Sequence, residues 1–461
     1  MPGVPSSRGC DACRKQKKKC SPTDSTPPCS RCRRLGITCV GFGQQRFKFK
    51  NEGQRLVLAN RPSATPFKND GCNLNGLAIT AAPAYGLANS LTRLTSAFVS
   101  TVNPSTDLSI QLPWNFGYYL LDIPRRLGTN QALDAASEAL VAAYRCFLAG
   151  RGVAPNVLIK HSKALVALRQ CLDDPVKAYS SETLCSIMVL MIVQLLSAPD
   201  IHITISHSVG AAQILKCRGH TGPKDKFENG LLHALRSTVV VEAINNPRIT
   251  MSKQQWKDFV SSQIDSDTID GQMMRCLAHL PSLMERGRYA LKESLMSEST
   301  ILELQSEVLK LRESYGPILS SFRERWESIE SSRGTQYPRI FLSETQIHSH
   351  YSRTYCMALA INILLNCVLV ALGGTNPQVR RETPQFSDEI LKLDEVVNKY
   401  RPLGAMYMII CLPAAWIGAT DPKTKAAIAG CLLKYQRDLY GPTATPSSAE
   451  QELLEKRITL K

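Results

Sequence analysis

The sequence predicts an all-α protein in which a small N-terminal cysteine-rich domain is followed by a long flexible linker and a large C-terminal helical bundle. Six of the 16 cysteines lie within the first 39 residues. Residues 51–128 are rich in Asn, Ser, Thr, Pro and Gly, a composition typical of weakly ordered segments. From about residue 129 apolar residues recur at helical spacing, and no segment shows the alternation typical of a strand. We therefore divide the chain into a cysteine-rich domain with a basic arm at 1–50, a linker at 51–128, a helical domain at 129–440 and a tail at 441–461.

The N-terminal cysteines form the unit Cys-x2-Cys-x6-Cys twice, with eight residues between the two copies. Six thiolates give each of two zinc ions four ligands only if two sulfurs are shared. Residues 1–8 contain no apolar run typical of a signal peptide, so metal binding is favoured over the alternative of disulfides. Four thiolates around each ion leave no position open for substrate, which predicts two zinc ions that serve folding and not catalysis. The predicted ligands are Cys10, Cys13, Cys20, Cys29, Cys32 and Cys39.

Basic residues are concentrated beside these cysteines. Residues 1–55 contain 13 Lys or Arg against 3 Asp or Glu, whereas the remainder contains 42 against 36. Six thiolates and two Zn²⁺ ions together add about −2, which leaves about +8 on this region. The run Arg-Lys-Gln-Lys-Lys-Lys between Cys13 and Cys20 predicts a short helix held by metal ligands at both ends. Such a patch predicts binding to DNA phosphates with a steep salt dependence, the alternatives being a solvated charge run or an import signal.

This arrangement resembles the fungal binuclear zinc cluster DNA-binding domain. Its pattern is Cys-x2-Cys-Arg-x2-Lys-x-Lys-Cys, a loop with a proline two residues before the fourth cysteine, and then Cys-x2-Cys-x6-Cys. The match covers about residues 8–46. The resemblance implies that Cys10 and Cys29 each bridge both zinc ions, and that the other two cysteines of each half complete one tetrahedron. Besides the cysteines, the matching residues are Arg14, Lys17, Lys19 and Pro27.

The resemblance also implies which basic residues contact bases and which contact phosphates. Lys17 corresponds to the main base reader of the family, which donates to guanine acceptors in the major groove of CGG-type triplets, and Lys18 is placed to assist it. Lysine suits the paired O6 and N7 acceptors of guanine. Phosphate contacts position a protein without specifying sequence. We expect them from Arg14, Lys15, Lys19, Arg31, Arg33 and Arg34.

A basic arm follows the last of the six cysteines. Three cations alternate with two phenylalanines, a pattern that fits an arm lying on the duplex or, alternatively, a short strand or a tether packed on the cluster. Residues 51–110 show no heptad repeat of the kind that dimerises many members of this family. We therefore expect a monomer, or a dimer formed through the C-terminal region. The arm residues are Arg46, Phe47, Lys48, Phe49 and Lys50.

The helical domain resembles, more weakly, the helical regulatory region that follows the zinc cluster in many fungal transcription factors. The segments that carry this resemblance are 162–175, 181–184, 207–215 and 218–219. Predicted helices cover 130–149, 157–172, 181–197, 204–218, 229–245, 253–261, 266–294, 298–331, 343–373, 386–400, 404–418 and 423–439.

Two patterns in this domain have alternative interpretations. Apolar residues from Ile301 to Phe322 alternate spacings of three and four, which indicates a core-facing helix in preference to a dimerising seam because Gly316 and Pro317 interrupt the pattern. The apolar stretch from Cys356 to Leu372 falls short of a comfortable membrane span, so we interpret it as a buried bundle helix.

The motifs that carry hydrolytic or phosphate-cradling chemistry are absent from the sequence, so we expect a protein that is not an enzyme. The combined resemblances imply a nuclear, sequence-specific transcription factor that regulates RNA polymerase II genes. Its expected partners are double-stranded DNA and the transcription machinery or co-regulators, with no membrane. The alternative is a helical interaction or scaffold protein whose zinc cluster gives only nonspecific DNA anchoring.

Overall fold

The computed structural model describes residues 10, 12–13, 16, 18–20, 28–37, 39, 89–103, 105–150, 154–197, 201–218, 222–261, 268–292, 298–332, 343–374, 376–441 and 445. Within these ranges the chain is helical and contains no strand, which confirms the predicted all-α class. The chain divides into two compact units, Met1–Ala84 and Tyr85–Lys461. The second unit has an extensive hydrophobic core, whereas the first unit buries a cluster of four cysteines.

The first unit is organised around its cysteines. Helix α1 (Ser30–Arg34) begins after Cys29, whose sulfur accepts a hydrogen bond from the backbone amide of Cys32. The helix ends at Arg34, and Gly36, two residues later, has φ 59° and thus the left-handed backbone that glycine adopts without strain. A cysteine therefore acts as the N-cap of this short helix.

The second unit begins with helices that pack around α4 (Gln131–Leu148), α5 (Pro155–Asp173) and α6 (Ser181–Ser197). The Asn130 side chain caps α4 by accepting hydrogen bonds from the backbone amides of Ala132 and Leu133. The Asp225 side chain caps α8 (Lys226–Asn245) by accepting a hydrogen bond from the backbone amide of Glu228. The helices of this half are α2 (Ser90–Val102), α3 (Leu112–Phe116), a 3-10 helix (Tyr118–Arg125), α4 (Gln131–Leu148), α5 (Pro155–Asp173), a 3-10 helix (Lys177–Tyr179), α6 (Ser181–Ser197), α7 (Ile201–Arg218) and α8 (Lys226–Asn245).

The remaining helices pack around α13 (Glu344–Ala371). Ser343 begins this helix with a capping box, in which its hydroxyl and the Gln346 side chain each bond the backbone amide of the other residue. The helices are α9 (Lys253–Ser261), α10 (Ile269–Leu277), α11 (Leu280–Lys292), α12 (Glu298–Ser331), α13 (Glu344–Ala371), α14 (Pro377–Val397), a 3-10 helix (Asn398–Tyr400), α15 (Met408–Gly418) and α16 (Pro422–Tyr440).

Helices α6 and α13 form the centre of the second unit. Helix α6 contacts α4, α5, α7, α8 and α16, and α13 contacts α10, α11, α12, α14 and α15. A helix apolar on all sides is stable in water only when other helices surround it. Helix α13 is long and apolar enough to span a membrane by length and composition, and 72% of its most apolar stretch is buried inside the protein. Its burial agrees with the interpretation of a bundle helix.

Part of the predicted linker is helical in the structure. Between residue 89 and residue 128 the chain forms α2, α3 and a 3-10 helix, and their apolar side chains join the core of the second unit. Phe98, Leu120 and Ile123 are each 0% exposed. The helical unit thus begins about forty residues before the predicted boundary at 129, because burial of a few large side chains outweighs a polar composition.

Prolines account for other differences from the predicted helices. Helix α14 begins at Pro377, before the predicted 386, and continues through Pro384. The predicted helix 266–294 is divided at Ala278, and Pro281 lies in the first turn of α11, where a missing amide costs little. Helix α12 runs unbroken through Gly316 and Pro317. Its residues Leu304, Val308, Tyr315, Ile318, Leu319, Phe322 and Ile329 are buried, which confirms the interpretation of a core-facing helix.

Candidate metal centre

The six N-terminal cysteines lie together in the first unit. The Sγ of Cys10 lies 3.7 Å from the Sγ of Cys29 and 3.7 Å from that of Cys32, and the Sγ of Cys13 lies 3.8 Å from that of Cys29. Four of the six side chains are buried, whereas Cys20 and Cys39 are half-buried.

These sulfurs form two overlapping groups of four. One group is Cys10, Cys13, Cys20 and Cys29, the other is Cys10, Cys29, Cys32 and Cys39, and the sulfurs of each group lie within 4.8 Å of one another. A tetrahedron with zinc–sulfur bonds of about 2.3 Å has edges of about 3.8 Å. The observed separations therefore fit two four-thiolate zinc sites that share Cys10 and Cys29.

The described residues of the two halves make corresponding backbone hydrogen bonds. The amide of Cys10 donates to the Sγ of Cys20 at 3.4 Å, and the amide of Cys29 donates to the Sγ of Cys39 at 3.5 Å. The amide of Lys18 donates to the Cys13 carbonyl at 3.0 Å, and nineteen residues later the amide of Ile37 donates to the Cys32 carbonyl at 3.1 Å. The sequence repeat is thus a structural repeat, in which amides support the outer thiolates.

The metal-free thiols do not ionise together. The backbone amide of Cys32 donates to Cys29 and lowers the pKa of that thiol to about 6. Burial raises the pKa of Cys13 to about 12. Zinc binds thiolates, so loading the centre displaces protons, and zinc affinity must rise with pH.

A comparison with known families agrees with this geometry. Residues 8–48 match the family model of the fungal Zn(2)-Cys(6) binuclear cluster domain. The chain carries a Zn(2)-Cys(6) domain. This domain binds two zinc ions and belongs to a family of DNA-binding transcription regulators. Neither the curated proteins nor the solved structures include a match to the chain.

The basic residues predicted to contact DNA fall partly within the described part of the Zn(2)-Cys(6) domain. Lys18, Lys19, Arg33 and Arg34 are exposed. Arg31 is half-buried and donates from Nη2 to Oε1 of Gln16 at 3.4 Å, so it links the second half of the domain to the first. Arg14, Lys15 and Lys17 lie outside the described residues, as do Pro27 and the arm at 46–50.

Two features of the Zn(2)-Cys(6) domain do not follow from the spacing of its cysteines. The Gln16 side chain accepts a hydrogen bond from Arg31, and no pattern in the sequence predicts that these two residues meet. Leu35 is 46% exposed, whereas Ile37 is half-buried. Four buried cysteines take the place of an apolar core in this domain.

Proposed function

We propose that the protein is a sequence-specific transcription factor that regulates RNA polymerase II genes and reads CGG-type triplets in the major groove. The observation that carries this proposal is the two-zinc geometry of six cysteines together with the basic run between Cys13 and Cys20. Metal coordination fixes that run at both ends, so its cations are held in place before DNA arrives.

The contrast between the two halves supports a reading role for the first. Both halves use the same backbone hydrogen bonds, yet their sequences differ between the second and third cysteines. The first half has Arg-Lys-Gln-Lys-Lys-Lys there and the second has Arg-Arg-Leu-Gly-Ile-Thr. Base edges are read by hydrogen-bond donors. Lys17 and Lys18, which correspond to Gly36 and Ile37 of the second half, therefore make the first half the reader, with Lys17 as its principal donor.

The described cations fit different supporting roles. Arg33 and Arg34 are exposed on α1 and have no ion pair among the described residues, so they are free to bind phosphate. Arg31 is engaged with Gln16 and chiefly positions the two halves relative to each other. Lys19 is exposed beside Cys20, where it adds a phosphate contact.

Selection of binding sites from a pool of random duplexes tests this function. We expect the zinc-loaded full-length protein to enrich CGG-type triplets, because base donors held between two metal ligands discriminate between sequences. Enrichment of no motif, with binding that falls steeply in salt, would favour the nonspecific anchoring of a helical scaffold protein. The proposal places the protein in the nucleus with co-regulators as partners and assigns it no enzymatic activity. Microscopy of a tagged chain tests the location.

A further inference from the structure

Four sulfur atoms of α13 and α15 lie together in the core of the second unit. The Sγ of Cys356 lies 3.4 Å from the Sδ of Met408, and the Sγ of Cys411 lies 3.5 Å from the Sδ of Met357. Burial and a hydrogen bond with the Cys411 thiol raise the pKa of Cys356 well above its ordinary value, so the two thiols are neighbours. The sulfurs therefore form one chain, in the order Met408, Cys356, Cys411 and Met357.

This set of donors is selective for a soft metal ion. Thiolates bind both Zn²⁺ and Cu(I), but the protein ligands of zinc are cysteine, histidine and carboxylates, whereas Cu(I) also takes thioethers. The two methionines therefore indicate Cu(I) in preference to zinc. A tetrahedral ion with bonds to sulfur of about 2.3 Å needs ligands about 3.8 Å apart, so the observed separations need to open by only a few tenths of an ångström.

Two polar groups beside these sulfurs lack a partner. The Nε of Arg353, one turn before Cys356, and the hydroxyl of Tyr407 are buried without a hydrogen bond. Arg353 lies over the ring of Trp114, 5.3 Å from its centroid, and has no ion pair among the described residues. Burial and the nearby thiols of Cys356 and Cys411 raise the pKa of Tyr407 well above its ordinary value. Buried polar atoms are nearly always paired, so unpaired ones commonly mark a bound ion or water.

Arg353 also fits the charge of a loaded site. Two thiolates and one Cu(I) ion carry a charge of −1, which the guanidinium neutralises. The two carboxylates near the thiols are committed elsewhere. Glu389 accepts hydrogen bonds from Arg323 and Tyr355, and Asp394 accepts one from Tyr435.

Met357 provides a path from the surface to the buried thiols. Cys356, Cys411 and Met408 are each 0% exposed, whereas Met357 is half-buried. Met357 lines a cavity of about 30 Å³ between α8, α10, α13 and α15, and Ile410 on the same wall is 40% exposed. A cavity of this volume is large enough for one water molecule or ion. An ion can therefore reach the thiols through the Met357 thioether.

We propose that these four sulfurs form a Cu(I) site, in which Cys356 and Cys411 bind the ion as thiolates and Met357 and Met408 complete its coordination. Loading the site displaces the two thiol protons. The site belongs to the second unit, whereas the zinc centre belongs to the first. It is therefore independent of the DNA sequence that the zinc domain recognises.

A titration of the reduced, zinc-loaded full-length protein with Cu(I), without oxygen and against a colorimetric Cu(I) chelator, tests this inference. We expect one copper ion per chain to be retained while both zinc ions remain, measured by elemental mass spectrometry. In protein labelled with selenomethionine, X-ray absorption at the copper edge should show selenium bound to copper. This signal locates the ion, because the predicted zinc ligands include no methionine.

A matched pair of variants assigns the copper to these sulfurs. Met357→Leu with Met408→Leu removes both thioethers at nearly constant volume and should weaken Cu(I) binding about tenfold or more. The selenium signal at the copper edge should disappear with it. Met188→Leu with Met284→Leu, at methionines 4% and 2% exposed elsewhere in the second unit, should change neither property. Circular dichroism checks that each variant is folded.

Three outcomes overturn the inference. Copper uptake that releases zinc and shows no selenium at the copper edge would place the copper on the N-terminal cysteines. A selenium signal that persists in the Met357 and Met408 double variant would place it at other methionines. No retained copper in the reduced protein, with or without a disulfide between Cys356 and Cys411 in protein isolated under air, would leave the sulfurs as core or as a redox pair.

Discussion

At the residue scale, the cysteines differ in the number of zinc sites that a substitution affects. Cys10 and Cys29 belong to both groups of four, whereas Cys39 belongs to one. Cys10→Ser should therefore weaken both sites and leave well under one bound zinc ion per chain, whereas Cys39→Ser should leave about one. Zinc content after gel filtration, measured by mass spectrometry, checks this expectation. Equal losses in the two variants would contradict the shared ligation.

Lys17 and Arg33 should differ in what they contribute to DNA binding. Lys17→Ala should cost about 1–3 kcal/mol on a CGG-type site and little on random sequence, because it removes a base contact. Arg33→Ala should weaken binding to both duplexes similarly and reduce the salt dependence, because it removes a phosphate contact. Titrations of a specific and a scrambled duplex at several salt concentrations measure both effects. Identical profiles for the two variants would refute this division of roles.

At the element scale, two helical glycines have opposite surroundings. A Cβ at Gly316 of α12 would meet nothing within 4 Å, whereas one at Gly418 of α15 would lie 2.8 Å from Ile363 Cγ2 and from Ser387 Oγ. Gly316→Ala should raise the free energy of unfolding by about 0.5–1 kcal/mol, because alanine restricts the unfolded chain. Gly418→Ala should lower it by about 1–3 kcal/mol through overpacking. Urea denaturation measures both, and changes of the same sign would contradict the packing described for α15.

Sequence patterns predicted most helices of the second unit because caps and apolar spacing coincide there. Helix α6 occupies the predicted 181–197 and α9 the predicted 253–261. Helix α2 was not predicted, because its threonines and serines are typical of a linker. The burial of Phe98, which stabilises this helix, depends on residues distant in the sequence. In the metal centre, the six ligands could be predicted because their spacing in the sequence is short and regular. The hydrogen bond from Arg31 to Gln16 could not be predicted, because it depends on the folded positions of both halves.

At the scale of the whole molecule, the two units have separate cores and separate sources of stability. The first unit buries four cysteines in place of an apolar core, whereas the second buries large side chains throughout its helices. Removal of zinc by a chelator should abolish DNA binding but leave the helical circular dichroism and the main thermal transition nearly unchanged. Calorimetry and DNA titration of the same sample check this. A large fall in the main transition temperature would show that the cores are coupled.

Helix α13 makes the order of synthesis matter. It leaves the ribosome before α14 and α15, two of the helices that cover it, because both follow it in the chain. Until they arrive, a stretch with a mean hydropathy of 2.0 remains accessible to chaperones, to membranes and to other nascent chains. A premature stop after residue 371 would make that exposure permanent. Such a product would keep its zinc centre but be a substrate for protein quality control.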